Sequence, residues 1–248
     1  LYDKKQYNYA KHILDIEEEF STDVEKGAIM VSLKTLDNTP VYYTLDGSEP
    51  GLDSPVYEGP IEITGTCILK AKAFREGFVT KTYEKEFKGH KAMGRPVSLL
   101  TQPHGSYVYG APDCLTDGIL GKDTYTSGDW AGWYDVPFEA VVDMDGRGEY
   151  SEVSLGAFVF KHDWIFNPVD MTVSVSDDGK EYREVAYAAY ETIPNVDEGN
   201  GRQEYTLRFE PVQARYLRVK ASVVTPIPDW HAGAGKPGFV FVDEITVN

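Results

Sequence analysis

The chain has 248 residues, enough for one large β domain or for two ordinary ones. Its 40 acidic and 24 basic side chains give a formal charge of −16. With no basic stripe interleaved with aromatics, that surface argues against nucleic acid or an anionic membrane as partner. No apolar run is long enough to span a membrane. Two cysteines, Cys67 and Cys114, are too few for a disulfide framework and are expected to be buried free thiols. The chain opens at Leu1 without a methionine, so a fragment of something longer is expected.

In chain order, residues 1–20 are Tyr-rich and then acidic at Glu17, Glu18 and Glu19, and a lead-in strand is expected there. A strand follows over 28–36, a turn at Asp37-Asn38-Thr39-Pro40, and a second strand over 41–45. Asp46-Gly47-Ser48-Glu49-Pro50 supplies a glycine turn and a proline stop. Further strands are expected at 61–63, 67–74 and 80–87. Short strands with turn residues between them predict a small β-sandwich. Asp46 and Glu49 could be read as a catalytic carboxylate pair, but two acids flanking Gly-Ser are ordinary turn chemistry, and nothing nearby would separate their pKa values.

Tyr43-Thr-Leu-Asp-Gly-Ser-Glu-Pro50, with Ser54-Pro-Val-Tyr57 and Leu69-Lys-Ala-Lys-Ala73, resembles the C-terminal sandwich of chitobiase and β-hexosaminidase-like proteins over about residues 27–88. The segment from Gln6 to His12 is similar to the piece that joins this sandwich to the catalytic barrel in glycoside hydrolase family 20. The resemblance implies a small Ig-like sandwich that follows a (β/α)₈ barrel.

Lys88-Gly-His-Lys-Ala-Met-Gly-Arg-Pro96 has no periodicity and reads as a short linker. Domains are therefore expected at 1–92 and 93–248. The first holds 12 basic and 16 acidic side chains, the second 12 and 24, so most of the charge excess falls in the second. Strands are expected there at 97–100, 139–144, 152–160, 171–176, 205–209, 216–221 and 239–247, with a tight hairpin at Asp177-Asp178-Gly179-Lys180. No stretch carries sustained helical periodicity. The fold class is all-β: two β-sandwiches, small and then large.

Thr116-Asp117-Gly118, Lys122-Asp-Thr124, the run from Val173 to Tyr182, the run from Ala214 to Lys220, and Val242-Asp-Glu-Ile-Thr-Val247 occur in the order of the discoidin, or coagulation factor V/VIII type C, domain. The second domain resembles that family, which implies a discoidin-type jelly-roll, galactose-binding-like sandwich. Members attached to bacterial glycosidases are family 32 carbohydrate-binding modules. The loop Pro228-Asp-Trp-His-Ala-Gly-Ala-Gly235 is similar to the version on hexosaminidases of gut Bacteroidetes.

The resemblance also implies one structural cation, Ca²⁺. Asp117 and Glu244 would offer carboxylates and Thr124 a hydroxyl and carbonyl. Cys114, Gly121 and Asp243 would offer carbonyls, hard oxygen donors that suit calcium. A plainer alternative makes Asp117 a turn cap.

All four tryptophans (Trp130, Trp133, Trp164 and Trp230) fall in this second domain. An indole can cover the C–H face of a sugar while polar groups bond its hydroxyls. His162, Trp164 and Asn167 occupy the loop where family 32 modules place sugar contacts. Trp230 and His231 would come from the C-terminal loop and Arg202 from a third. Trp130 and Trp133 are read as plugs of the sandwich end. No zinc-type histidine spacing, Gly-x-Ser-x-Gly elbow or phosphate loop occurs, and ~250 residues of barrel would not fit beside two sandwiches.

The chain is thus expected to be a non-catalytic accessory region of a β-N-acetylhexosaminidase. Its partners would be glycan and the N-terminal catalytic barrel of the same polypeptide. A monomer in the periplasm, on the outer-membrane surface or secreted is expected. Two alternatives stand beside it: sandwiches that only buttress the barrel, and a protein-binding adhesion module.

Overall fold

The structure is a computed structural model that describes residues 13–23, 25–75 and 80–248. It is all-β, and the chain divides into two compact units, Leu1–Gly89 and His90–Asn248. The Gln6-to-His12 linking segment lies outside the described residues. Among the described residues no helix is long and apolar enough to cross a membrane.

In the first unit, β1 (Ile16–Asp23), β2 (Ala28–Thr35) and β4 (Ile61–Ile63) form one antiparallel sheet. β3 (Val41–Thr44), β5 (Cys67–Ala73) and β6 (Tyr83–Phe87) form the other. In β2, β4, β5 and β6 buried residues recur every second position, so each of these strands buries one face. Ile29, Val31 and Leu33 of β2 are buried, as are Leu69, Ala71 and Ala73 of β5. Asp46 accepts hydrogen bonds from the Ser48 amide at 2.9 Å and the Ser48 hydroxyl at 2.6 Å. Glu49 takes Lys72 at 2.9 Å and the Thr82 hydroxyl. These bonds hold both carboxyls below the usual range, Ser48 acting on Asp46 and Thr82 on Glu49. Two carboxylates both pulled down are turn chemistry and not an acid/base pair.

The second unit is built on two long strands, β9 (Phe138–Val159) and β12 (Gly201–Ser222), paired antiparallel along their length. The sequence pattern splits each into two strands, because residues 145–149 of β9 are exposed or half-buried and break the alternation. The ladder shifts register between Arg208 and Val212 and between Ala214 and Tyr216, where bulges bend the pair. The halves on either side of that bend recruit different neighbours. β7 (Val97–Leu99) joins the start of β9, while β10 (Asp170–Ser176) joins the end of β12 and carries β11 (Arg183–Ala189) at its edge. β13 (Phe239–Val247) joins the end of β9 and carries β8 (Ala131–Tyr134). One layer therefore runs β11-β10-β12-β9-β7 and the other β12-β9-β13-β8.

The core between the layers includes Trp133, Phe138, Val142, Leu155, Val173, Val219, Val240 and Ile245. β13 is buried on both faces. Its second face, with Phe241, packs with Trp130, Phe158 and Ile165 into a smaller apolar cluster beneath the long connection between β7 and β8. β8 and β11 add to the expected strands. Residues 90–93, which the sequence reading places in a linker, belong to the second unit. Ala92 and Met93 are buried, and the Lys91 amide bonds the Val247 carbonyl at 2.8 Å. The 177–182 connection is longer than a two-residue hairpin turn. Asp178 closes it by accepting the amides of Lys180 at 2.8 Å and Glu181 at 3.0 Å. Both cysteines are free, and they are half-buried instead of fully buried.

Candidate functional site

The loop after β9 organises one end of the large sandwich. Phe160 and Ile165 exchange backbone hydrogen bonds at 2.9 and 3.3 Å, closing a short reversal through a single 3-10 turn, Lys161–Asp163. Trp164 completes it in the left-handed conformation, φ 65°, with its amide on the Lys161 carbonyl at 3.0 Å. For a residue with a Cβ this conformation costs roughly 1–2 kcal/mol, so the fold holds the indole here against a local preference. The loop is pinned to β13: the Phe239 amide bonds the Trp164 carbonyl at 2.7 Å, and the Phe166 amide bonds the Phe239 carbonyl at 3.0 Å.

The β7–β8 connection supplies the opposite wall. The His104 amide bonds the Gly132 carbonyl at 2.7 Å and the Gly132 amide bonds the Tyr107 carbonyl at 2.9 Å, which straps this loop to β8. Gly132 is required for close packing, since a Cβ there would meet the Phe241 ring at 2.7 Å. Tyr107 stands 4.9 Å from the Phe241 ring and 5.6 Å from Phe239, both edge-on. Tyr125 packs at 5.4 Å on Phe241 and donates its hydroxyl to Asp163 Oδ2 at 2.6 Å. That bond, with burial behind it, pushes the Tyr125 phenol up to about 12.

Tyr107, Tyr125, His162, Asp163, Trp164, Ile165, Phe239 and Phe241 enclose an open pocket of about 340 Å³. Its walls are aromatic and its polar groups are a carboxylate, an imidazole and phenols, the mixture that recognises a polyhydroxylated ring. His162 is exposed, with Nε2 at 2.9 Å from Asp197.

The other expected glycan contacts lie elsewhere. His231 is buried, with Nδ1 accepting the Gly233 amide at 2.9 Å and Nε2 donating to the Lys161 carbonyl at 2.8 Å. Both ring nitrogens are consumed, so His231 ties the C-terminal loop to the Trp164 loop. Gly233 lies against the Trp164 indole, where a Cβ would sit 2.8 Å from Cε2. Trp230 is 38% exposed, edge-on to Phe166 at 6.3 Å, and does not line the pocket. Asn167 is buried, its amide on the carbonyls of Pro168 at 3.0 Å and Glu191 at 3.3 Å. Arg202 is drawn inward to Asp243. Trp130 and Trp133 are fully buried and donate to the carbonyls of Lys122 at 3.0 Å and Thr101 at 3.2 Å. Tyr107, Tyr125, Asp163, Phe239 and Phe241 were not among the expected contacts. Their only sequence signal is the Tyr-rich run 104–109 and the Phe239-Val-Phe241 alternation.

A second cluster surrounds the acidic pair of β13. The β13–β9 register shifts between Val242 and Ile245, and because β13 is covered on both faces the two consecutive side chains there, Asp243 and Glu244, are both fully buried. Asp243 Oδ2 accepts Arg202 Nε at 2.6 Å and the Gly121 amide at 2.8 Å. Burial pushes its carboxyl up, and the guanidinium opposes the shift. Glu244 Oε2 accepts the Gly118 amide at 3.0 Å, and Oε1 faces His90 Nε2 at 2.8 Å. His90 Nδ1 lies 3.2 Å from the Ala92 amide, which orients the ring toward Glu244. Glu244 stands well above the usual carboxylate range because it is buried and because Asp117 and Asp243 lie near it. The same burial and the same acids push the Cys114 thiol up. Asp117 also accepts the Ile119 amide at 2.8 Å, the turn-capping role.

Asp117, half-buried, hydrogen-bonds the fully buried Glu244 carboxyl, so two carboxyls meet at the edge of the core. Such a pair requires a proton or a cation between its members. In that respect Asp117 and Glu244 fit a hard cation. Thr124 does not join them: it is exposed, and its hydroxyl pairs with Thr126 at 3.0 Å. Among the described residues no group of three or more His, Cys, Asp or Glu has metal-holding geometry.

Residues 23–84 match the family described as chitobiase/beta-hexosaminidase C-terminal domain. No curated protein matches the chain. Solved structures similar to it include the family 32 carbohydrate-binding module from Clostridium perfringens NanJ in complex with galactose. That match has 16% identity, covers 63% of this chain and 95% of that one, and has a TM-score of 0.42. The Clostridium perfringens module CpGH89CBM32-5, in complex with GalNAc-beta-1,3-galactose, matches at 17% identity over 63% of this chain and 96% of that one, TM-score 0.40.

Proposed function

We propose that the second unit is a glycan-binding module and that the chain is the accessory region of a secreted β-N-acetylhexosaminidase. The observation that carries this reading is the pocket walled by Tyr107, Trp164 and Phe239 and edged by His162 and Asp163. Aromatic faces take the C–H side of a sugar, and the acceptor carboxylate and imidazole take its hydroxyls. The attachment to a hexosaminidase is supported by the family match of the first unit. The ligand would be a terminal galactose or N-acetylhexosamine, and the module would raise the local substrate concentration for a catalytic barrel elsewhere in the polypeptide.

Titration of glycans ending in either sugar, followed by tryptophan fluorescence, tests the binding. Saturable quenching in the native chain that is lost in Trp164→Ala supports it. A flat titration with every glycan of both classes sinks it. Incubation with a nitrophenyl N-acetylglucosaminide tests the division of labour, and turnover by this chain would overturn the accessory role.

We also propose that Asp117 and Glu244 hold a structural Ca²⁺ with backbone carbonyls of Cys114, Gly121 and Asp243. The ion would neutralise the paired carboxylates and tie the 114–121 segment to β13. Calcium should raise the unfolding temperature of the native chain after chelation and leave Glu244→Gln unmoved. Equal responses in the two proteins would count against the site.

A further inference from the structure

The loop that presents Trp164 gives two other residues, Lys161 and Asn167, to a second pocket of about 310 Å³. That volume is at the low end of the ~300–1,000 Å³ typical of small-molecule sites. Tyr190 and Tyr205 form an aromatic wall, edge to face at 4.8 Å, with Ile193 and Gln203 beside them.

Two polar groups here are incompletely matched by the protein. Lys161 is 1% exposed, and its ammonium donates to the Glu198 carbonyl, one bond for a group with three donors. Among the described residues no carboxylate pairs with it directly. The Glu198 carboxylate is taken by Asn195 at 2.9 Å and attracts Lys161 only from farther away. Burial accordingly lowers the Lys161 pKa. A buried ammonium in this position is costly unless an anion reaches it. The second group is the Tyr190 hydroxyl, which is buried and has no hydrogen-bond partner among the described residues.

We infer that this pocket is a second ligand site, for a hexose-sized ring that carries a carboxylate. The ring packs on Tyr190 and Tyr205, the carboxylate meets the Lys161 ammonium, and a ring hydroxyl engages the Tyr190 hydroxyl. This site shares no wall residue with the Trp164 pocket, so it stands or falls independently of the reading proposed for that one.

The test uses the full chain, with D-glucuronate as probe and methyl glucoside as the neutral control, read by the NMR signals of Tyr190 and Tyr205. Glucuronate should shift both residues saturably and methyl glucoside should bind far more weakly. Lys161→Met should weaken glucuronate about tenfold or more, the loss expected for a charged hydrogen bond. Tyr190→Phe, which keeps the ring and its packing, should weaken it by a smaller factor. The inference is overturned if glucuronate leaves Tyr190 and Tyr205 unshifted, if the two sugars bind alike, or if a folded Lys161→Met binds glucuronate unchanged. Should Lys161→Met fail to fold, the comparison of the two sugars on the native chain decides.

Discussion

Replacing Arg202 by Met separates the two roles this arginine could have. The side chain is only 17% exposed, and its Nε lies 2.6 Å from Asp243 Oδ2, whose carboxyl has no exposure at all. Gly156 shows how closely the pair is packed: a Cβ there would fall 1.9 Å from Asp243 Oδ1 and 2.5 Å from an Arg202 terminal nitrogen. Removing the guanidinium leaves a buried carboxylate held only by backbone amides, those of Gly121 and Glu244. Breaking a buried pair in this way costs about 3–5 kcal/mol. In a domain of this size that amounts to a fall of roughly 6–20 °C in unfolding temperature. All four tryptophans lie in the second unit, so their fluorescence reports its urea unfolding separately from the first unit. Arg202→Met should shift the midpoint strongly, while Arg202→Met combined with Asp243→Leu should recover most of the loss, because no lone charge is then left inside. A single variant that loses less than about 1 kcal/mol, or one that loses glycan affinity at unchanged stability, would refute the argument. Arg202 would then be a surface or ligand-facing residue.

The remaining predictions concern the pocket, its support and the turns. Trp164→Ala should lower glycan affinity at least about tenfold, ~1.4 kcal/mol, by calorimetric titration, whereas Trp230→Ala, outside the pocket walls, should leave affinity unchanged. Gly132→Ala should displace the Phe241 ring and reduce binding together with stability, measured by titration and urea unfolding on the same sample. Asp178 accepts the Lys180 and Glu181 amides, which hold its carboxyl below the ordinary value. Its stabilisation is therefore complete above the unfolded pKa of ~3.9 and lost as pH falls through the lower folded value. Asp178→Ala should flatten the acid limb of the stability curve, and NMR titration of the native carboxyl should give a midpoint below the ordinary one.

Which parts of this protein are legible in its sequence follows from what each part depends on. Half-buried strands such as β2 and β5 announce themselves by alternation, because one face meets core and the other water. β8 does not, since Ala131, Gly132 and Trp133 are all buried and the run has no period. β11 is an edge strand with little burial and carries no apolar signature. β9 and β12 read as four strands because the bend that lets each serve both layers is itself solvent-facing. The candidate site was harder for a different reason. His231, Asn167 and Arg202 are residue types that bind sugars, but they are equally the types that satisfy buried backbone groups and buried charges. Only their partners decide between the two, and those partners are far away in sequence: Lys161 for His231, Glu191 for Asn167, Asp243 for Arg202. The walls that do form a pocket come from three separated segments, and nothing local marks Tyr107 or Tyr125 as facing Phe241. The acidic pair Asp243-Glu244 makes the same point. Adjacent acids in a strand need not turn inward, since Glu17, Glu18 and Glu19 of β1 are all exposed. Asp243 and Glu244 are buried because β13 is covered on both faces, and their partners Arg202 and His90 come from segments far away in sequence.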